Sequence, residues 1–136
     1  MKQLTITLLL LSSLLFSTFS FADSSAELPE QITQQQLIAM QQSQLPFLLL
    51  DVRSEEEYQQ GHIAGAINID FRQLSDNLEI LNQYKEQNIV VYCRSGRRAG
   101  IAIDELTKLG FSNLTHLEGD MQLWRKNQRP EQKEQQ

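Results

Sequence analysis

One cysteine in 136 residues rules out an internal disulfide, and with it the small secreted scaffolds that bridges hold together. A single thiol also lacks the resolving partner that dithiol redox chemistry requires. Proline is scarce, at three residues, so a collagen-like or low-complexity chain is excluded. Positive charge is short as well: 12 Lys and Arg stand against 17 Asp and Glu, a formal net charge of −5. That balance does not support an extended nucleic-acid surface, and any basic patch must be local. What is present, 40% hydrophobic residues in a mixed composition, suits one modest domain with its own core.

Only one stretch is apolar over a long distance. Residues 4–21 (LTITLLLLSSLLFSTFSF) contain no charge, and Lys2 precedes them. The apolar core, Leu4 to Phe16, is about 13 residues long, whereas a membrane-spanning helix needs about 20. Ser20 and Ala22 place small residues at the −3 and −1 positions before Asp23. Residues 1–22 therefore read as a signal peptide that is removed on export. The processed chain is expected to be soluble, with no membrane attachment and a charge of −6 once Lys2 is lost; in a Gram-negative bacterium its destination is the periplasm.

Beyond a polar leader, residues 23–31, the pattern alternates between strand and helix. Thr33 and Gln36 form a capping box that opens a short helix to about Gln42, with Leu37 and Met40 on its apolar face. Pro46 stops it. Phe47 to Leu50 is a continuous apolar run ending at Asp51, the signature of a strand covered on both faces. Ser54 and Glu57 form a second capping box, and Gly61 can end the helix that follows. Ala66–Ile69, Ile89–Tyr92 and Leu114–Leu117 read as further strands. Leu74, Leu78 and Leu81 suit one or two helical segments. Ala99, Ala102, Ile103, Leu106 and Leu109 make a helical stripe closed by Gly110, and Met121–Trp124 a last turn. This is an α/β domain with a mostly parallel sheet, over residues 32–126. The polar tail, residues 127–136, is expected to fray.

In open parallel sheets ligands bind beyond the carboxyl ends of strands, and Cys93-Arg94-Ser95-Gly96-Arg97-Arg98 follows the clearest strand in the chain. Cations and a helix N-terminus both favour the reactive thiolate. Gly96 permits a tight turn in which successive amides converge on a sulfur or an anion. Three arginines in five residues of an acidic chain make an anion site here. Arg97 and Arg98 diverge by about 100° on a helix, and Arg98 is assigned to the pocket. A free thiol of this kind is expected to be exposed and open to oxidation.

These residues resemble the rhodanese, or thiosulfate sulfurtransferase, family. CRSGRRA resembles its active-site loop; Leu49 to Arg53 with Glu57-Tyr58 and Gly61-His62-Ile63-Ala64-Gly65-Ala66-Ile67-Asn68 resemble its second hallmark; Leu117-Glu118-Gly119 with Trp124 resemble its C-terminal end. The likeness covers about residues 30–126. Ala64 stands where the family commonly has Pro, and Asp120 where it commonly has a second Gly, a change expected at the pocket rim.

The resemblance implies a single rhodanese-like domain with a five-stranded sheet flanked by helices. It implies a persulfide cycle in which Cys93 is the catalytic nucleophile, and Arg94, Ser95, Gly96, Arg97 and Arg98 bind the substrate. Thiosulfate would be the donor and cyanide or a thiol the acceptor, a protein thiol included, with no cofactor or metal and a monomeric chain. A persulfide carrier that serves a protein partner is the alternative. Phosphatase-like relatives hold phosphate in a Cys-x5-Arg loop, and the Cys-x4-Arg spacing from Cys93 to Arg98 makes a smaller cradle, suited to sulfur. Asp51 and Arg53 are expected to be structural, with Arg53 paired to an acidic neighbour such as Glu57, and His62 to anchor backbone. His116 is read as a strand residue without a motif. Trp124 packs under the last helix or walls the pocket, and Arg72 is a further candidate at the same face.

Overall fold

The computed structural model describes residues 28–134; the expected signal peptide and most of the leader lie outside them. Five strands form one sheet: β1 (Gln31–Ile32), β2 (Phe47–Asp51), β3 (Ile67–Asn68), β4 (Asn88–Tyr92) and β5 (Leu114–Leu117). Their order is β1-β5-β4-β2-β3, and every pairing is parallel. The helices are α1 (Gln34–Ser43), α2 (Glu55–Gln60), α3 (Leu78–Leu81), α4 (Arg97–Lys108) and α5 (Asp120–Lys126). Short 3-10 turns, Ser75–Asn77 and Asn82–Tyr84, flank α3.

Both capping boxes form as the sequence predicts. Thr33 and Gln36 exchange bonds at the start of α1, and Ser54 and Glu57 do so at the start of α2. Each box satisfies orphan N–H groups that a helix start otherwise leaves to water. The unbroken apolar runs of β2 and β4 are explained by burial on both faces of the sheet. Leu48, Leu50, Ile89 and Val91 pack with Ala99, Ala102 and Leu106 of α4 and with Leu81 of α3. Their alternate neighbours Leu49, Val90 and Tyr92 pack with Leu37 of α1 and with Met121 and Trp124 of α5. Each such side chain contributes roughly 1.5–3 kcal/mol on burial, which is why the two central strands anchor the domain. β1 escapes sequence reading because two residues carry no period.

The C-terminal segment departs from expectation. It does not fray after Lys126: Gln132 and His62 exchange backbone bonds of 2.9 and 2.8 Å, Trp124 Nε1 donates to the Pro130 carbonyl at 2.9 Å, and Arg125 meets Glu131 at 2.6 Å. Polar composition alone does not free a chain whose backbone finds partners on the domain.

Candidate active site

With all strands parallel and β4 flanked by β2 and β5, three strand ends open on one edge of the sheet. The segment after β4 carries Cys93. Its amide donates to Asp120 Oδ1 at 2.7 Å, and its carbonyl accepts from Met121 N at 3.1 Å. The Arg94 carbonyl accepts from Gln122 N at 3.0 Å. The start of α5 thus clamps the loop on both sides of the sulfur. Of the amides expected to converge on Sγ, that of Gly96 does so, at 3.1 Å. Gly96 has φ +103°, and a Cβ there would lie 3.2 Å from Asp120 Oδ2 and 3.4 Å from His116 Cε1, so the turn needs glycine on both counts. The Gly96 carbonyl then receives Gly100 N at 2.9 Å, opening α4.

The thiol is not exposed as predicted. Cys93 is 1% exposed and belongs to the core group of Val52, Val91 and Ala99. Arg94 and Ser95, next in the chain, are exposed, so the loop changes from core to solvent within one residue.

The arginines divide by partner. Arg94 and Arg97 are exposed. Arg98 is partly buried and holds Glu57 through two bonds, Nη1 to Oε2 at 2.6 Å and Nη2 to Oε1 at 2.9 Å. Those bonds, with smaller help from Ser54 and against the cost of burial, pull the Glu57 carboxyl down to about 2. The same pairing raises the Arg98 guanidinium above its ordinary range, and the charge of Cys93 adds to it. Glu57 is therefore not the partner of Arg53. That guanidinium bonds to Asp51, at 2.6 Å to Oδ2, and to the Gly61 carbonyl at 2.9 Å. The pair is sealed, with the side chains 1% and 0% exposed. Asp51 lies two residues back on the same strand end and reaches Arg53 without crossing the fold.

Arg72 lies near enough to Arg98 for their like charges to oppose each other, but its hydrogen bonds go elsewhere. Asp70 holds it at 2.6 Å, and both line a separate open concavity of about 1350 Å³ along the β3 edge, with Tyr58 and Asn68. His62 anchors backbone as expected: Nδ1 sits 2.9 Å from the Tyr58 carbonyl, and its ring stacks on Tyr58 with centroids 3.6 Å apart. Trp124 packs in the core and does not wall the site. Among the described residues no cluster of three metal-ligating side chains occurs, and no helix is long and apolar enough to cross a membrane.

The model of the Rhodanese-like domain family matches residues 33–127. The chain belongs to the rhodanese-like family. A putative mitochondrial thiosulfate sulfurtransferase of Schizosaccharomyces pombe is 34% identical over 88 residues, 57% of this chain and 62% of that protein; this chain thus spans less than two thirds of that relative. Thiosulfate sulfurtransferase PspE of Escherichia coli is 34% identical over 70 residues, 52% of this chain and 67% of that protein. A tRNA uridine(34) hydroxylase of Yersinia enterocolitica is 40% identical over 76 residues, 53% of this chain but 22% of that protein. The crystal structure of a rhodanese-related protein from Thermoplasma volcanium superposes with a TM-score of 0.66 at 29% identity, covering 78% of this chain and all of that one. Sulfurtransferases thus stand among the relatives of this rhodanese-like domain.

One residue of the rhodanese-like site, His116, escaped sequence reading, and another, Asp120, stands elsewhere than expected. His116 Nε2 lies 3.0 and 3.2 Å from the Asp120 carboxylate oxygens. Asp120 is 1% exposed and sits behind the loop, not at the pocket rim as expected. Its φ of +51° falls in the region glycine prefers and Asp tolerates better than most residues, which accounts for a glycine commonly standing there. The readable signal was an acidic residue at that glycine position, four residues after a histidine.

Proposed function

We propose that this rhodanese-like domain is an exported thiosulfate sulfurtransferase. The Cys93 thiolate attacks the outer sulfur of thiosulfate; a new S–S bond forms, the S–S bond of thiosulfate breaks, and sulfite leaves with the bonding electron pair. Cys93 then holds a persulfide, Cys93-S-S⁻. Attack by cyanide on the terminal sulfur forms thiocyanate and returns the thiolate; a thiol acceptor takes the same sulfur. This is covalent catalysis in two half-reactions.

The observation that carries the reading is the Gly96 amide aimed at Sγ at 3.1 Å, at the start of a 12-residue helix. That amide and the helix N-terminus oppose the negative charge that moves onto sulfur. Arg94 and Arg97, both exposed, and Arg98 supply positive charge for a dianionic donor. Ser95 and Gly96 complete the loop around it. Export is supported by the charge and apolar pattern of residues 1–22.

The test is thiocyanate formation from thiosulfate and cyanide by the purified protein, together with its intact mass. Turnover is expected, with a 32 Da adduct on Cys93 after thiosulfate alone, and a loss on the order of 10³-fold or more in Cys93→Ser. A mature chain beginning at Asp23 is expected from a Gram-negative periplasm. Absence of the adduct overturns the sulfur chemistry. Persulfide passed to one protein thiol, with negligible thiocyanate, overturns the enzyme in favour of a carrier.

A further inference from the structure

Behind the Cys93 loop lies a buried carboxylate that the persulfide cycle does not use. Asp120 Oδ1 accepts the Cys93 amide at 2.7 Å, and Oδ2 is so close to Gly96 that an added Cβ would lie 3.2 Å away. The acid thus bonds to the residue that bears the reacting sulfur and borders the residue whose amide faces that sulfur. It serves the geometry, since it fixes the loop. For electrostatics it is adverse, because a negative group beside a site that must hold a thiolate and then a persulfide opposes both. A scaffold needing only a hydrogen-bond acceptor has neutral residues available for the task.

His116 resolves the conflict. Its Nε2 meets both carboxylate oxygens, while its side chain remains 23% exposed, so protons exchange with solvent. The groups around it come from each element packed against β5. Asp120 comes from α5. From β4 the register neighbour is Val91, which carries no charge, and before α4 Gly96 lies against the ring, an added Cβ there falling 3.4 Å from His116 Cε1. On the β1 side the exposed Glu30 presents its backbone carbonyl, which takes the His116 amide at 2.8 Å. Bonding to Asp120 raises His116 above its ordinary value against the cost of burial, which extends the imidazolium toward neutral pH.

We propose that Asp120 and His116 are a charge-compensated positioning couple for Cys93: Asp120 holds the loop, and the imidazolium of His116 cancels its charge so that the sulfur can be anionic. The proposal rests on Cys93 being the reacting residue. Its consequence is that sulfur reactivity depends on a proton carried behind the loop, on a residue that touches neither donor nor acceptor.

The experiment is a charge cycle read by iodoacetamide alkylation of Cys93 at pH 7 in the full protein, followed by mass. His116→Gln keeps a donor toward Asp120 but removes the positive charge, and is expected to slow alkylation roughly tenfold. Adding Asp120→Asn, which keeps an acceptor for the Cys93 amide and removes the negative charge, is expected to restore the rate to within about threefold of the unsubstituted protein. A His116→Gln rate equal to the unsubstituted one, or a double variant no faster than the single, overturns the couple. Should the variants fail to fold, NMR titration of His116 in the unsubstituted protein decides: its midpoint falls when Cys93 is converted to the neutral carboxamidomethyl form. An unmoved midpoint overturns the proposal. Alkylation needs no thiosulfate, so rescue without thiocyanate formation would sink the sulfurtransferase reading and leave the couple standing.

Discussion

Two arginine-bearing loops leave neighbouring strands on the same edge of the sheet, and they end differently. After β2, Arg53 turns inward onto Asp51 and the Gly61 carbonyl, and both ionic side chains are sealed from solvent. After β4, Arg94 and Arg97 face solvent, and Arg98 shares its charge with Glu57 at a partly exposed contact. The first loop contains its own carboxylate, two residues before the arginine. The second, from Cys93 to Arg98, contains no acidic residue, so its counter-charge arrives from elsewhere: Glu57 of α2 pairs with Arg98. A guanidinium sealed against its carboxylate becomes scaffold, and the exposed Arg94 and Arg97 keep positive field for an incoming anion.

The comparison breaks first at Arg53. Arg53→Ala leaves Asp51 buried without its partner and should cost about 3–5 kcal/mol in urea denaturation, whereas Arg94→Ala on the open loop should stay within about 0.5 kcal/mol. Equal costs would erase the distinction between the loops. The next effect sharpens the second loop itself. Arg98→Ala should raise KM for thiosulfate about tenfold, and Arg97→Ala less than about threefold; the reverse order, in steady-state rates, would place the wrong arginine at the sulfur.

The smallest effect concerns pH. The Glu57 carboxyl is held at about 2, below its ordinary 4.5, so the Arg98 contact contributes stability above the ordinary value and loses it as pH falls toward 2. Because the pair is partly exposed, the contribution is about 0.5–1 kcal/mol. Urea midpoints measured from pH 6 to pH 2 should fall more steeply for the unsubstituted protein than for Glu57→Gln. His116 has the opposite sign: raised by Asp120, its contribution is complete below the ordinary histidine value of 6.5 and fades as pH rises through the folded one.

How far each feature could be read in advance follows the distance over which it is decided. Phe47–Asp51 and Asn88–Tyr92 were readable because burial writes itself into short apolar runs, and the two capping boxes because both partners lie three residues apart. The nucleophile loop was readable from thiol, glycine and arginines together. The pairing of Glu57 was not: Arg53, four residues away, looked the natural partner, yet Arg98, 41 residues distant, took it. The same holds for the tail, whose polar composition hid its contact with His62.

The amino-acid order alone determined the alternation of strands and helices, the helix starts, and a lone cysteine set among arginines after a central strand, because these depend on side-chain period and on bonds that span a few residues. Only the tertiary structure decided that the sulfur is buried, that Arg98 belongs to Glu57, and that His116 and Asp120 stand behind Cys93. Those outcomes depend on which strand ends the parallel sheet brings side by side, and charges far apart along the chain meet only when it does.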